Sequence, residues 1–171
     1  YQLSRFQEEI LSSIEIDIAR VEIKSRSPKK TTHLELYGEV DIALDTFPFN
    51  GATTTCEAMW MGVPVITLRG DRHVARVGAS LLHRVGLDHF IAESREDYIQ
   101  KAVAFAEDIS TLKELRQTMR EKVQNSPLCN EAQFAQTIED TYQTMWESLQ
   151  DDSGNYRFTE SQSALTKANA L

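Results

Sequence analysis

Between residues 40 and 92 the chain alternates short apolar runs with helix-patterned stretches, and no other feature narrows its fold so far. Residues 40–44 form a compact apolar run that ends at Asp45, and 64–68 and 89–92 form two more. Helices are predicted over 53–61, closed by Gly62, and over 73–85, closed by Gly86, since glycine most readily takes the left-handed conformation that ends a helix. Strand, loop, helix, strand, loop, helix, strand is the order of a parallel sheet with crossover helices. Near-continuous apolar strands suit a sheet covered on both faces. The predicted class is α/β, a Rossmann-like parallel sheet.

Upstream, residues 2–13 pattern as a helix, 21–23 as a short strand, and Ser27-Pro28 opens a helix running to about Tyr37. Downstream the pattern is wholly helical, over 95–107, 110–124 and 130–149. In the last of these Phe134, Ile138, Tyr142 and Met145 recur every three or four residues, which predicts one buried stripe. Residues 151–171 lose periodicity and read as a polar tail, so 1–150 is taken as one partial lobe and 151–171 as its appendage. Because Tyr1 falls inside a helical pattern, the chain reads as a piece of a longer protein.

Composition narrows the partners. A net charge of −8 argues against nucleic acid or an anionic membrane as the main partner. No apolar run approaches the ~20 residues of a membrane span. Cys56 and Cys129 form no metal-ligand spacing, and two cysteines fit a reduced, cytoplasmic setting. The four histidines complete no zinc ligand set, so no metal is expected.

The informative loop runs from Asp45 to Glu57, at the carboxyl end of the first long strand, where open parallel sheets bind ligands. Asn50-Gly51 suits a sharp turn, left-handed if the glycine takes a positive φ. Thr53, Thr54 and Thr55 stand at a helix start, whose N–H groups and positive dipole end suit a phosphate. Glu57, one turn on from Thr53, could accept hydrogen bonds from a ribose diol. Thr54-x-x-Glu57 also fits a capping box, the commoner meaning of that spacing, and spacing alone reaches no further than a phosphate-site candidate.

The run from Tyr37 through Leu68, with Gly70–Ser80, Ser126-Pro-Leu128 and Tyr142-Gln-Thr-Met-Trp146, resembles the C-terminal catalytic lobe of the O-linked N-acetylglucosamine transferase/SPINDLY family. The resemblance covers nearly all of the chain to about residue 150. It implies one lobe of a GT-B glycosyltransferase, whose second lobe faces it across a cleft, usually preceded by tetratricopeptide repeats. It further implies transfer of a sugar from a nucleotide to Ser or Thr hydroxyls of a protein acceptor, without metal or other cofactor. Thr53 and Thr54 match the diphosphate-binding threonines, and Glu57 the acidic residue that takes the ribose. Asn50 and Gly51 belong to the same nucleotide-sugar loop. Lys30 and His33 match a Lys-x-x-His pair that reaches the nucleotide, Lys30 serving as counter-charge to the leaving diphosphate and so as the catalytic residue.

Two positions depart from the animal pattern: Ala52 stands in place of a histidine, and Leu36 in place of a basic residue. UDP-N-acetylglucosamine is the donor implied, and GDP-fucose, which plant SPINDLY proteins use, is the alternative. A nucleotide-sugar 2-epimerase would share the two-lobed architecture. An inactive fragment could self-associate through its exposed sheet edge. Little transferase activity is expected of this chain alone. Arg76, near the start of the helix after the second strand, is a further donor-binding candidate, unless it pairs with Asp71 or Glu57. Met59, Trp60 and Trp146 read as core, Cys56 as a packed residue, and His73, His83 and His89 as surface or locally hydrogen-bonded groups.

Overall fold

The computed structural model describes residues 17–24 and 30–149. They fall into two compact units, one ending at Glu39 and the other beginning at Val40. In the first, a 3-10 turn at Ile18–Arg20 precedes residues 21–24, and helix α1, Lys30–Glu35, runs into a second 3-10 turn, Leu36–Glu39. Lys24 pairs with Glu22 at 3.5 Å and with Glu39. The strand predicted at 21–23 is not formed, because a strand needs a ladder partner and the described residues of this unit contain no other strand. The predicted helix over 2–13, the opening Ser27-Pro28 and the tail over 151–171 lie outside the described residues.

The second unit carries the alternation. Strand β1, Ala43–Leu44, leads to helix α2, Thr53–Trp60, then to β2, Val65–Leu68, and α3, Val77–Arg84. Strand β3, Ile91–Ala92, follows, and then α4, Arg95–Glu107, α5, Ile109–Gln124, and α6, Glu131–Ser148. The strands form a parallel sheet in the order β1-β2-β3, with Ala43 opposite Val65 and Thr67 opposite Ile91. Gly62 and Gly86 end α2 and α3 at φ 81° and 73°, as their positions predict.

Strand β1 is shorter than the predicted 40–44. Ala43 N–H donates to the Pro64 carbonyl, but Pro64 has no N–H to return. The Val40 carbonyl accepts instead from the guanidinium of Arg116 on α5.

The core gathers on both sides of β2: Met59, Val63, Val65, Ile66, Leu82, Leu87 and Phe90 are buried. On α5 the residues Leu112, Leu115, Met119 and Val123 form the apolar stripe that faces α2. Trp60 lies on the surface instead of in the core, its carbonyl accepting from Arg120 Nε at 2.9 Å and its ring under that guanidinium at 5.4 Å. The predicted stripe of α6 is likewise exposed: Phe134 keeps 67% of its surface and Tyr142 66%. Trp146, expected in the core, lies on the same helix and is exposed as well. The principal neighbour of α6 among the described residues is the 3-10 turn Pro127–Cys129, too short to cover 18 residues of helix. No described helix is long and apolar enough to cross a membrane.

The three later helices begin on side-chain caps: Ser94 Oγ accepts from Asp97 N–H, Asp108 Oδ1 from Thr111 N–H, and Asn130 Oδ1 from Gln133 N–H. The Asp108 carboxyl is held down at about 2, first by the Thr111 hydroxyl and then by the Thr111 and Ser110 donors around it. A depressed carboxyl stabilises the fold above its unfolded pKa of ~3.9 and loses that contribution as pH falls towards its folded value. Asp108→Ala is therefore expected to lower the urea midpoint at pH 6, with the gap to the parent protein narrowing as pH falls from 4 towards 2. A gap independent of pH would show that the carboxylate charge is not what caps α5.

Candidate functional site

The site is built on the carboxyl ends of β1 and β2. Asp45 follows β1 directly, is 8% exposed, and has both carboxylate oxygens engaged. Oδ1 accepts from Gly51 N–H at 2.7 Å, and Oδ2 accepts from the Thr67 hydroxyl at 2.7 Å. The Asp45 carbonyl accepts from the Tyr98 hydroxyl of α4 at 2.8 Å. Burial, with the Asp45 charge beside it, pushes the Tyr98 phenol up to about 12, so it stays a donor throughout the physiological range. The loop between is short and internally tied: Thr46 Oγ1 donates to the Phe49 carbonyl at 2.7 Å, and the Phe47–Pro48 peptide bond is cis.

Asn50 joins this loop to the next one. Its backbone N–H donates to the Val74 carbonyl at 2.8 Å, and its side-chain Oδ1 accepts from Gly78 N–H at 3.3 Å. In an unbroken helix Gly78 N–H would bond the Val74 carbonyl four residues back. Asn50 occupies both ends of that missing bond. This explains why the helix predicted over 73–85 is divided into a 3-10 turn, His73–Ala75, and α3. Asn50 Nδ2 donates to the Thr46 carbonyl at 3.0 Å, so the side chain, 3% exposed, is engaged at both its oxygen and its nitrogen.

Gly51 does not take the left-handed turn that its sequence suggests; among the described residues only Gly62 and Gly86 have positive φ. It is glycine for want of space. A Cβ there would lie 2.5 Å from Thr54 Oγ1 and 3.3 Å from Asp45 Oδ1. The capping-box register is not formed either: the N-cap of α2 is Ala52, with no side-chain cap bond, and Thr54 is already inside the helix. Thr53 and Thr54 are exposed at the helix tip, Thr55 is buried with its hydroxyl donating to the Gly51 carbonyl at 3.1 Å, and Glu57 is half-buried one turn on.

Of the other predicted residues, Arg76 is exposed at the junction between the 3-10 turn and α3, next to the segment that Asn50 holds, and among the described residues it forms no ion pair with Asp71. Lys30 and His33 belong to the first unit, three residues apart in α1 and so on one face of it. The His33 ring meets Tyr37 edge-on at 5.7 Å. The Cys56 thiol is half-buried and pushed up by burial, as a packed residue should be. His83 contacts Asp88 at 2.6 Å, a local pair. No group of three or more metal-ligating side chains occurs among the described residues.

Sequence reasoning missed Asp45 as a hub, together with Thr67, Gly78 and Tyr98. The available signal was a polar residue inside an otherwise apolar strand: Thr67 is the only one in Val65–Leu68.

A parallel sheet with two βα loops meeting at its carboxyl edge is the frame of nucleotide-binding α/β lobes. Over residues 6–138 the chain matches glycosyl transferase family 41, and it belongs to that family. It is 44% identical over 136 residues to a protein of Eustoma exaltatum subsp. russellianum described as "Probable UDP-N-acetylglucosamine–peptide N-acetylglucosaminyltransferase SPINDLY", covering 80% of this chain and 15% of that protein. A protein of Arabidopsis thaliana with the same description but named SEC is 35% identical, over 68% of this chain and 12% of its own length. Among solved structures, a mutant of Thermobaculum terrenum O-GlcNAc transferase superposes with a TM-score of 0.76 at 36% identity. That match covers 85% of this chain and 28% of the other, and the shared fold is that of a GT-B catalytic lobe. The chain thus spans roughly a seventh of the length of such curated relatives.

Proposed function

We propose that this chain is the nucleotide-sugar-binding part of a protein O-glycosyltransferase that moves N-acetylglucosamine from UDP-N-acetylglucosamine to Ser or Thr hydroxyls of proteins. The observation that carries the reading is the tip of α2. Thr53 and Thr54 stand exposed at the carboxyl end of β1, on a helix whose N-cap, Ala52, supplies no side-chain oxygen. The first N–H groups of a helix have no partner within it, and with the dipole they favour a bound anion. A diphosphate resting there would accept from these amides and from the two hydroxyls.

Glu57 would take the ribose hydroxyls from the second turn, Arg76 would add positive charge from the start of α3, and His33 would contact the nucleoside. Lys30 would neutralise the diphosphate as it leaves, an electrostatic contribution that needs no metal. Gly51 and Asn50 would act by shaping the loop. The descriptions of the relatives support UDP-N-acetylglucosamine as donor. The second lobe of the cleft and the protein acceptor complete the proposed reaction.

The test is calorimetric titration of UDP, GDP and their sugars into the chain and its Thr53→Ala/Thr54→Ala double variant. Hydrogen bonds to charged groups contribute about 1.5–3 kcal/mol each, so the double variant should bind UDP at least tenfold more weakly. Preference for GDP would move the donor to GDP-fucose, and equal binding by the double variant would remove the phosphate from the α2 tip.

A further inference from the structure

We propose that Asp45 and Thr67 form a positioning pair that aims the tip of α2 at the donor, a role that rests on the reading above and extends it to two residues outside the ligand's reach. Thr67 lies on the central strand and is fully buried. Its hydroxyl donates to Asp45 Oδ2, which leaves Oδ1 turned towards Gly51 N–H. Gly51 is packed against Thr54 and Thr55, so the direction of its N–H sets where the threonines of α2 begin.

Gly78 presents no Cβ where one would meet Asp45 Oδ2 at 2.5 Å, and Tyr98 holds the Asp45 backbone from α4. An anionic side chain this near a phosphate site would repel the ligand if it swung outward. Two donated hydrogen bonds and an 8% exposure hold it inward. Strand, loop and helix are thereby registered through one hydroxyl.

Two substitutions separate this role from ordinary packing. Thr67→Val keeps the shape of the side chain and removes the hydroxyl; Thr67→Ser keeps the hydroxyl and removes a methyl. UDP affinity by calorimetry should fall about tenfold or more in Thr67→Val and stay within about twofold in Thr67→Ser. Were packing the role of Thr67, the order would reverse, and that result overturns the proposal.

Amide hydrogen exchange at Gly51 supplies a reading that needs no ligand. Exchange should accelerate in Thr67→Val, remain slow in Thr67→Ser, and be unchanged in both at the buried positions of α5. If UDP binds none of the proteins, the functional reading fails, while the Gly51 amide still decides for or against the pair. If Thr67→Val does not fold, Thr67→Ser decides alone: retained Gly51 protection supports the pair, and lost protection overturns it.

Discussion

Gly78→Ala is expected to destabilise the protein by about 1–5 kcal/mol net, against the usual sign for glycine in a helix. Alanine within a helix normally gains about 0.5–1 kcal/mol over glycine through the unfolded chain's lost freedom. At this position the new methyl would lie 2.5 Å from Asp45 Oδ2 and 3.0 Å from Thr67 Cβ, both in buried side chains. Overpacking of a well-filled interior costs about 1–3 kcal/mol. Displacing the Thr67 hydroxyl from Asp45 adds about 1–3 kcal/mol for a buried acceptor left unsatisfied.

The steric and polar losses exceed the propensity gain several-fold, and they draw on a total stability of about 5–15 kcal/mol. Urea denaturation of the variant should show a midpoint well below the parent's with the slope unchanged. A midpoint at or above the parent's would mean that the two loops yield to the methyl without loss. Their hydrogen-bonded geometry would then be held less tightly than its distances imply.

The second large effect is expected at Phe90, which is fully buried at the end of the 3-10 turn Asp88–Phe90, directly before β3. Its ring lies 4.3 Å from that of Phe105 and 4.3 Å from that of His89. Truncation to alanine removes the ring from a fully buried site, and the surroundings of such a void relax only in part. Such substitutions cost about 3–5 kcal/mol. Phe90→Leu, which refills much of the volume, should recover most of that loss, and the comparison of the two midpoints is the check. Equal midpoints for the two variants would show that the aromatic contact, and not the filled volume, is what counts there.

Local chemistry was legible in the sequence wherever a residue acts on its own neighbours. Gly62 and Gly86 end their helices where the pattern stops. The parallel alternation from 40 to 92 is formed, and Asn50, Gly51, Thr53 and Thr54 do lie together at its carboxyl edge. What could not be read were bonds between residues far apart in the chain. Asn50 and Gly78 are 28 positions apart, Asp45 and Tyr98 53, and nothing in either local pattern announces the partner. For the same reason the split in the predicted helix over 73–85 was invisible: it is made by a side chain from another loop.

Periodicity misled in the opposite direction. The stripe on α6 is real as a pattern, but a pattern says which face can be buried, not whether a neighbour covers it. Helical spacing likewise points Trp60 to the core, and a cationic partner, Arg120, accommodates it at the surface instead.

The bridge made by Asn50 also restricts how the molecule can change over evolutionary time. Surface loops ordinarily gain and lose residues with little penalty, which is how one scaffold diversifies its ligands. Here the first loop supplies a rung of the second loop's helix, so the two share a single length constraint. An inserted or deleted residue between Asp45 and Asn50 would be felt at the start of α3, and one between Val74 and Gly78 at the tip of α2. Divergence at this edge is therefore channelled into exchanging side chains at constant length, as at positions such as Thr53, Glu57 and Arg76, on a backbone that neither loop can redraw alone.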